Sequence, residues 1–461
     1  MVNAMSQQDS PGMAALLVAM QHSPSVPDGW DVVLNLSQSA VQSLVRSTWD
    51  GASRTDRDRS LLWVAPAEVN GQRDVMELKT DLPPPEVSLS VTGQAAHVNF
   101  GIDSGTLRFG QASAELLLRL PDTRSFVESG QVEWSDPVEI TPQNPLQLAG
   151  LIPVGVEAAV DDQTVSIGLS LADSNLTLTG HEKVGISSRA VNQELQTWLA
   201  VQKLSGQIGY LRLQDGAGAT VLTPTEVTAR VAASLDGRPV LQILTGTSPG
   251  AKALAASAPV PHLDTYDFSL IVSSKATMTM IANGYNLGTG DIKLVAVPPQ
   301  DEQLHWFAQV REPMVFEGTF GNQDGEIYVR DHSKLHMRFG GSADQGLKLF
   351  TYIDPSSTVQ LQLELAAHYP TGISGTGTDQ VVGLQHGAQS VTGNGFYEAI
   401  VQPQLERFLT GDIKSDMSKV RMTAISDLVL RDLTLSGHQL KFDVAALPAE
   451  LLIAGRLIPS D

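Results

Sequence analysis

Two stretches of the chain share one order of apolar and polar positions. From Gly29 to Gly51, GWDVVLNLSQSAVQSLVRSTWDG, a β-rich run over Trp30 to Leu36 passes directly into a segment with apolar residues at Ala40, Val41, Leu44, Val45 and Trp49. The second spacing is helical, so a strand running into an amphipathic helix is predicted. Ser37 or Ser39 is placed to accept a hydrogen bond from an orphan amide at the helix start, and Gly51 to stop the helix in a left-handed conformation.

From Thr265 to Asn286, TYDFSLIVSSKATMTMIANGYN, the order returns. Laid on the first stretch without a gap, Trp30 meets Tyr266, Asp31 meets Asp267, Leu34 meets Leu270, Ser37 meets Ser273, Ala40 meets Ala276 and Trp49 meets Tyr285. The shift is constant, 265 − 29 = 236 residues. Recurrence of a strand, a serine and a helical stripe in order is how a duplicated module looks, and two copies of one architecture are expected.

Elsewhere short β-type runs dominate, separated by Gly, Pro, Asn or Asp. The first half carries them at Leu61 to Ala65, Val75 to Leu78, Val87 to Val91, His97 to Ile102, Thr106 to Phe109, Ala114 to Leu120 and Val132 to Trp134. A meander follows over Leu146 to Leu178, turning at Asp161-Asp162-Gln163, and three more runs at Gly209 to Leu213, Thr225 to Ala232 and Val240 to Leu244. The second half repeats the style at Ile292 to Val297, His305 to Val310, Met314 to Thr319, Glu326 to Val329, Lys334 to Phe339, Leu347 to Tyr352 and Val359 to Ala366, with GNQDG (Gly321 to Gly325) as a turn. It closes with β-rich Val420 to Leu435 and Gln439 to Val444, and the Gly-, Thr- and Ser-rich stretch Thr371 to Gly395 reads as an irregular loop.

The period becomes helical again late in each half. Ser187 to Val201 places Val191, Leu195, Trp198 and Leu199 on one face, and Phe396 to Leu409 does so with Phe396, Ile400, Leu405, Phe408 and Leu409, bent at Pro403. The expected division is an N-terminal lead over 1–27, a first module over 28–247, a linker over 248–262 and a second module over 263–461. Met13 to Met20 reads as a short helix or disordered lead, since Asp9 and the lack of Lys or Arg before it do not suit a signal peptide.

Composition narrows the function. At 461 residues the chain is too long for one ordinary core. Its 42% apolar content can fill two, while only 17% charged residues leaves a surface rich in Ser, Thr, Gln and Gly that suits β structure. A formal net charge of −20 argues against nucleic acid and against a basic membrane-binding face. There is no cysteine, which rules out disulfides, thiolate nucleophiles and Cys-based metal sites. No run approaches the roughly 18 apolar residues of a transmembrane helix.

Candidate chemistry fails on inspection. Gly246-Thr247-Ser248-Pro249-Gly250 satisfies G-x-S-x-G, yet Pro249 lacks the backbone N–H that an oxyanion needs. His332 and His336 fall on a predicted strand, where i and i+4 lie roughly 13 Å apart, too far for one metal ion. The glycines of Thr371 to Gly377 precede no helix, and the acidic turns at Asp161-Asp162 and Asp324-Gly325-Glu326 lack the carboxylates of a calcium loop. No catalytic residue, metal ligand or cofactor is assigned, and a non-enzymatic protein is expected.

Strand, helix, long meander and late helix, read twice from a Gly29-Trp30-Asp31 opening, resemble the TULIP (tubular lipid-binding) superfamily. Within it the sequence is most similar to the forty-seven-kilodalton proteins of clostridial neurotoxin gene clusters, and more distantly to bactericidal/permeability-increasing protein. The resemblance implies an α+β, β-dominated fold of two modules, each a long, highly curved antiparallel sheet wrapped around an early and a late helix. It further implies a hydrophobic groove for a lipid or other elongated apolar ligand. The stripes that match the enfolded helices are Val41, Leu44, Val45 and Trp49, Met280, Ile281 and Tyr285, joined by Val191, Leu195 and Trp198 and by Ile400, Leu405 and Phe408 on the late helices. Core packing explains the same stripes, and Met278 and Met280 suit either an adaptable lining or gap filling. The alternative expectation is a toxin- or secretion-cluster accessory protein with side-chain-filled tubes and protein partners from the same gene cluster. Location is expected to be cytoplasmic, or exported without a recognisable signal peptide.

Overall fold

The computed structural model describes residues 11–27, 29–53, 60–69, 72–111, 132–158, 163–169, 175–180, 206–213, 220–248, 260–288, 292–300, 303–312, 314–322, 325–342, 344–354, 363–376, 379–393 and 413–460. Helix α1 (Pro11–His22) precedes the first opening, β1 (Val32–Ser37) and α2 (Gln38–Ser53). Then come β2 (Ser60–Val69), β3 (Gln72–Asp81), β4 (Glu86–Ser90), β5 (Ala95–Ile102), β6 (Gly105–Gln111), β7 (Glu133–Trp134) and β8 (Val138–Ile140). The half ends with β9 (Leu146–Ala158), β10 (Thr164–Leu169), β11 (Asn175–Thr179), β12 (Gly206–Arg212), β13 (Glu226–Ala233) and β14 (Pro239–Gly246).

The second opening is β15 (Phe268–Val272) and α3 (Ser274–Gly288). It is followed by β16 (Leu294–Val297), β17 (Phe307–Val310), β18 (Met314–Asn322), β19 (Gly325–Ser342), β20 (Gly346–Asp354), β21 (Leu363–Ser374), β22 (Val381–Leu384) and β23 (Gln389–Gly393). Short helices α4 (Lys414–Met417) and α5 (Thr423–Asp427) run into a π-helical turn, Leu428–Asp432, before β24 (Leu433–Leu435), β25 (His438–Ala446) and β26 (Leu451–Pro459).

The fold is α+β and β-dominated, with a large curled antiparallel sheet and a second, half-barrel sheet. The large sheet has the order β13-β14-β1-β15-β26-β25-β24-β12-β10-β9-β5-β4, with β11 also on β9. Strands of both halves therefore alternate within one sheet, at β1 beside β15 and at β24 beside β12. The half-barrel is β16-β17-β19-β20-β21-β22, and β2, β3, β6, β7 and β8 form a third, smaller sheet.

The two openings meet at the centre of the large sheet. β1 and β15 pair antiparallel with Leu34 opposite Leu270, Val32 opposite Val272 and Leu36 opposite Phe268. Because each residue of one strand faces the mirror-placed counterpart on the other, the pairing is symmetric about Leu34 and Leu270. Past the strand ends the symmetry continues. The Ser273 amide donates to the Asp31 carbonyl at 2.8 Å, and the Ser37 amide donates to the Asp267 carbonyl at 2.9 Å. Each serine then caps its helix, Ser37 Oγ accepting from the Ala40 amide at 3.1 Å and Ser273 Oγ from the Ala276 amide at 3.3 Å. Capping of this kind relieves one orphan donor and fixes where the helix begins.

Alternation along β1 sorts its side chains between two apolar layers. Val32, Leu34 and Leu36 join the main core under α2 and α3, whereas Val33 joins a smaller layer with Met13, Leu16, Leu17 and Met20 of α1. The predicted lead is thus a helix packed on the outer face of the central strands. The segment after it is held by Glu450, whose carboxylate accepts from the Ser25 amide at 2.7 Å and the Val26 amide at 3.2 Å.

Three sequence expectations are corrected. Helix α2 continues through Gly51 to Ser53, and Gly51 does not take a positive φ, so the glycine is tolerated within the last turn instead of ending it. Thr371 to Gly395 is mostly sheet, because β22 and β23 both pair with β21 and the buried Thr371 donates its hydroxyl to the Ala445 carbonyl at 2.8 Å. Val420 to Leu435 is helical over Thr423–Asp432, where Met422, Ile425, Leu428 and Val429 recur at helical spacing on the buried side and outweigh β-branched content. The runs at 326–329 and 334–339 are parts of one strand, β19. His332 and His336 both lie on it, in keeping with the strand spacing that separates them. The predicted strand over 114–120, the turn at Asp161-Asp162 and most of the predicted linker lie outside the described residues.

Candidate ligand-binding core and the cleft beside it

On α2, Val41 and Leu44 are fully buried and Val45 and Trp49 nearly so; on α3, the same holds for Ile281, with Met280 and Tyr285 close behind. All seven belong to one continuous apolar cluster that crosses from the first half to the second through Leu34 and Leu270. Trp49 packs on Phe100 with ring centroids 5.5 Å apart. The interior at these helices is filled by side chains, each contributing about 1.5–3 kcal/mol of apolar burial. Val191, Leu195, Trp198, Ile400, Leu405 and Phe408 lie outside the described residues.

A phenol hydroxyl lies inside this core. Tyr369 on β21 is fully buried with its hydroxyl unpaired, and burial together with the neighbouring Tyr285 phenol raises its pKa.

The polar side of α2 closes the first half. β4 is the last strand of the large sheet, and its free edge runs along the helix. Gln42 donates Nε2–H to the Pro85 carbonyl at 2.9 Å and accepts the Val87 amide on Oε1 at 2.6 Å, while Gln38 Oε1 accepts the Leu89 amide at 3.3 Å. Two glutamines one helical turn apart thus take the place of a neighbouring strand and satisfy an edge that would otherwise stand open. Beside this seam lies a cleft of about 820 Å³, bounded by α2, the Pro83–Pro85 segment, β5 and the start of β9.

A second polar cluster lies on the outer face of the central strands. Arg230 Nε donates to Gln242 Oε1, Gln242 Nε2 to Asn35 Oδ1, and Asn35 Nδ2 to Ser269 Oγ, at 2.6, 3.0 and 3.0 Å. Ser269 donates its hydroxyl to the Pro261 carbonyl at 2.8 Å, so the Ser269 contact to His262 Nδ1 at 3.2 Å makes that nitrogen the donor. His262 Nε2 is left buried without a partner. Burial accordingly pushes the His262 imidazole down to about 4. Glu450 moves the other way, up to about 7, because desolvation outweighs the two amides it accepts.

Among the described residues no group of three or more His, Asp or Glu side chains could hold a metal ion, and no helix is long and apolar enough to cross a membrane.

Two solved structures overlay on nearly the whole of this chain. P47 from Clostridium botulinum A2 overlays with a TM-score of 0.53, over 93% of this chain and 97% of that one, at 10% identity. P47 of Clostridium botulinum E1 overlays at 0.52, over 93% and 99%, again at 10% identity. The chain has the P47 fold. Lipopolysaccharide binding protein overlays at 0.36, over 94% and 99%, with 11% identity. No family model matches the chain, and no curated protein matches it in sequence. At 10% identity the P47 likeness establishes fold; this chain's ligand must be read from its own residues.

Sequence reasoning did not single out Gln38, Gln42, Tyr369, Glu450 or His262. The glutamines stand at i and i+4 on the polar side of α2, a visible stripe. Nothing local marks it as the partner of a strand more than forty residues later.

Proposed function

We propose that this P47-fold protein is a non-enzymatic binder of a lipid or similar elongated apolar molecule, taken into the interior between α2, α3 and the curled sheets, and that its halves are copies of one module. The observation that carries the reading is the single apolar cluster spanning both helices and the strand pair between them. An elongated ligand needs that continuity, and each Å² of apolar surface it removes from water is worth about 25 cal/mol. The lining would come from Val41, Leu44, Val45, Trp49, Met280, Ile281 and Tyr285. Symmetry of the β1–β15 pairing about Leu34 and Leu270 supports the duplication. Native mass spectrometry of the purified protein, followed by organic extraction, tests the function. A stoichiometric acyl species, or uptake of a fluorescent fatty acid, is expected; an empty protein that takes up neither removes the reading.

A second reading is favoured by one observation. Val41, Leu44 and Ile281 have no solvent exposure. An interior filled in this way suits an accessory or assembly protein that works through its surface with protein partners of a toxin or secretion cluster. Its test is the converse result, a lipid-free protein that captures a defined protein from the same cluster.

A further inference from the structure

We infer that the cleft beside the α2–β4 seam binds a net-neutral, hydroxyl-rich group, a sugar or polyol, and that it holds the polar head of an amphiphile whose chain enters the core at this seam. The second clause rests on the proposed function; the first does not.

The chemistry of the lining selects the ligand class. Arg46, Glu86, Asp103 and Gln147 line the cleft and are exposed, and Asn99 lines it with a buried Oδ1 that has no hydrogen-bond partner. One guanidinium stands against two carboxylates, which disfavours a phosphate or carboxylate ligand. Among the described residues no aromatic ring lines the cleft, which disfavours cation–π capture of a quaternary ammonium. Two carboxylates fall short of the oxygen ligands a calcium ion takes.

What remains is a group that donates and accepts at adjacent positions, as neighbouring hydroxyls do. Carboxylates and amide oxygens take its O–H donors; guanidinium and amide N–H groups meet its lone pairs. Pro83, Pro84, Pro85 and Pro145 supply the C–H surface against which the apolar face of a sugar ring can lie. A volume of about 820 Å³ lies within the usual range of small-molecule sites.

Position joins this cleft to the core. Val87 lines the cleft and also belongs to the main apolar cluster, so cleft and core share a wall. Along that wall the seam is held by the bonds of Gln42 and Gln38, which a chain can pass by parting helix from strand without breaking the strand ladder.

The test compares three probes on the full chain: a monoglucosyl diacylglycerol, the same diacylglycerol without sugar, and methyl glucoside. Arg46→Ala and Asp103→Ala are the variants, both at exposed positions and therefore expected to unfold at the wild-type temperature. The expected result is about tenfold tighter binding of the glucosyl lipid than of its sugar-free counterpart, with the preference falling to about twofold or less in either variant. Equal binding of the two lipids, or a preference that survives both substitutions, overturns the cleft inference and leaves the proposed function standing. Methyl glucoside that shifts the Arg46 and Asn99 amide resonances while neither lipid binds supports the cleft as a free-sugar site and removes the proposed function. Binding of none of the three overturns both.

Discussion

Leu34 lies directly across the central sheet from Leu270, the residue that occupies the same place in the second opening sequence. Both are almost fully buried in the main core. Leu34→Ala and Leu270→Ala should each lower unfolding stability by about 2–5 kcal/mol, as large-to-small core changes do. Since the two side chains share one site, the double variant should depart from the sum of the singles by about 0.5 kcal/mol or more. Urea titrations of the four proteins supply the cycle, and strict additivity would contradict the pairing.

The two helix caps should behave alike. Ser37→Ala and Ser273→Ala each remove the acceptor for one first-turn amide, at an expected loss of about 1 kcal/mol. Replacement by glycine should be milder. Thermal unfolding of the two alanine and two glycine variants checks this, and a cap insensitive to alanine would show that its amide finds another partner.

Glu450 and His262 set opposite slopes on the stability curve. With its folded pKa raised from the usual 4.5 to about 7, Glu450 holds its proton more tightly when folded. Its contribution is present below pH 4.5 and is lost as pH rises through 7, a change on the order of 3 kcal/mol. His262, lowered from 6.5 to about 4, binds its proton more weakly when folded. Stability from keeping it neutral is present above pH 6.5 and is lost as pH falls toward 4. The two windows overlap and their slopes oppose each other, so between the usual carboxylate and imidazole values denaturant midpoints should rise with pH in Glu450→Gln and fall with pH in His262→Gln. Unchanged slopes would place the titrating groups elsewhere.

The seam has its own signature. Gln42→Ala leaves the Pro85 carbonyl and the Val87 amide without their side-chain partner, at about 1–3 kcal/mol. Hydrogen exchange at Val87 should accelerate while β1 and β15 keep their protection. Gln42→Glu retains the acceptor for Val87 and loses only the donor to Pro85, so it should fall between wild type and alanine. Uniform acceleration across the sheet would mean that the glutamine supports the fold at large and not this edge.

Local signals made much of this architecture legible. The strand-helix openings, their serine caps and most of the short strands follow from periodicity and punctuation within a few residues. Gly51 is a poor stop signal because a glycine near a helix end ends the helix only where the backbone turns left-handed. Over 371–395 the Gly and Thr content masks the Val381, Val382, Leu384 and Val391 that populate its strands. What sequence could not supply is contact at long range. Gln42 finds its strand 45 positions away, and Glu450 finds Ser25 across 425. Neither partner leaves a trace in the pattern around the other.

A strand pair symmetric about Leu34 and Leu270 has the register of an isologous contact, the kind that joins two identical subunits about a twofold axis. Severed after β14, the first half would carry a bare β1 edge already shaped to receive a second copy of itself. Because both strands belong to one chain, this contact is intramolecular and dilution cannot separate its two sides. The sides differ at Asn35 against Ser269 on one face, while Leu34 and Leu270 match on the other.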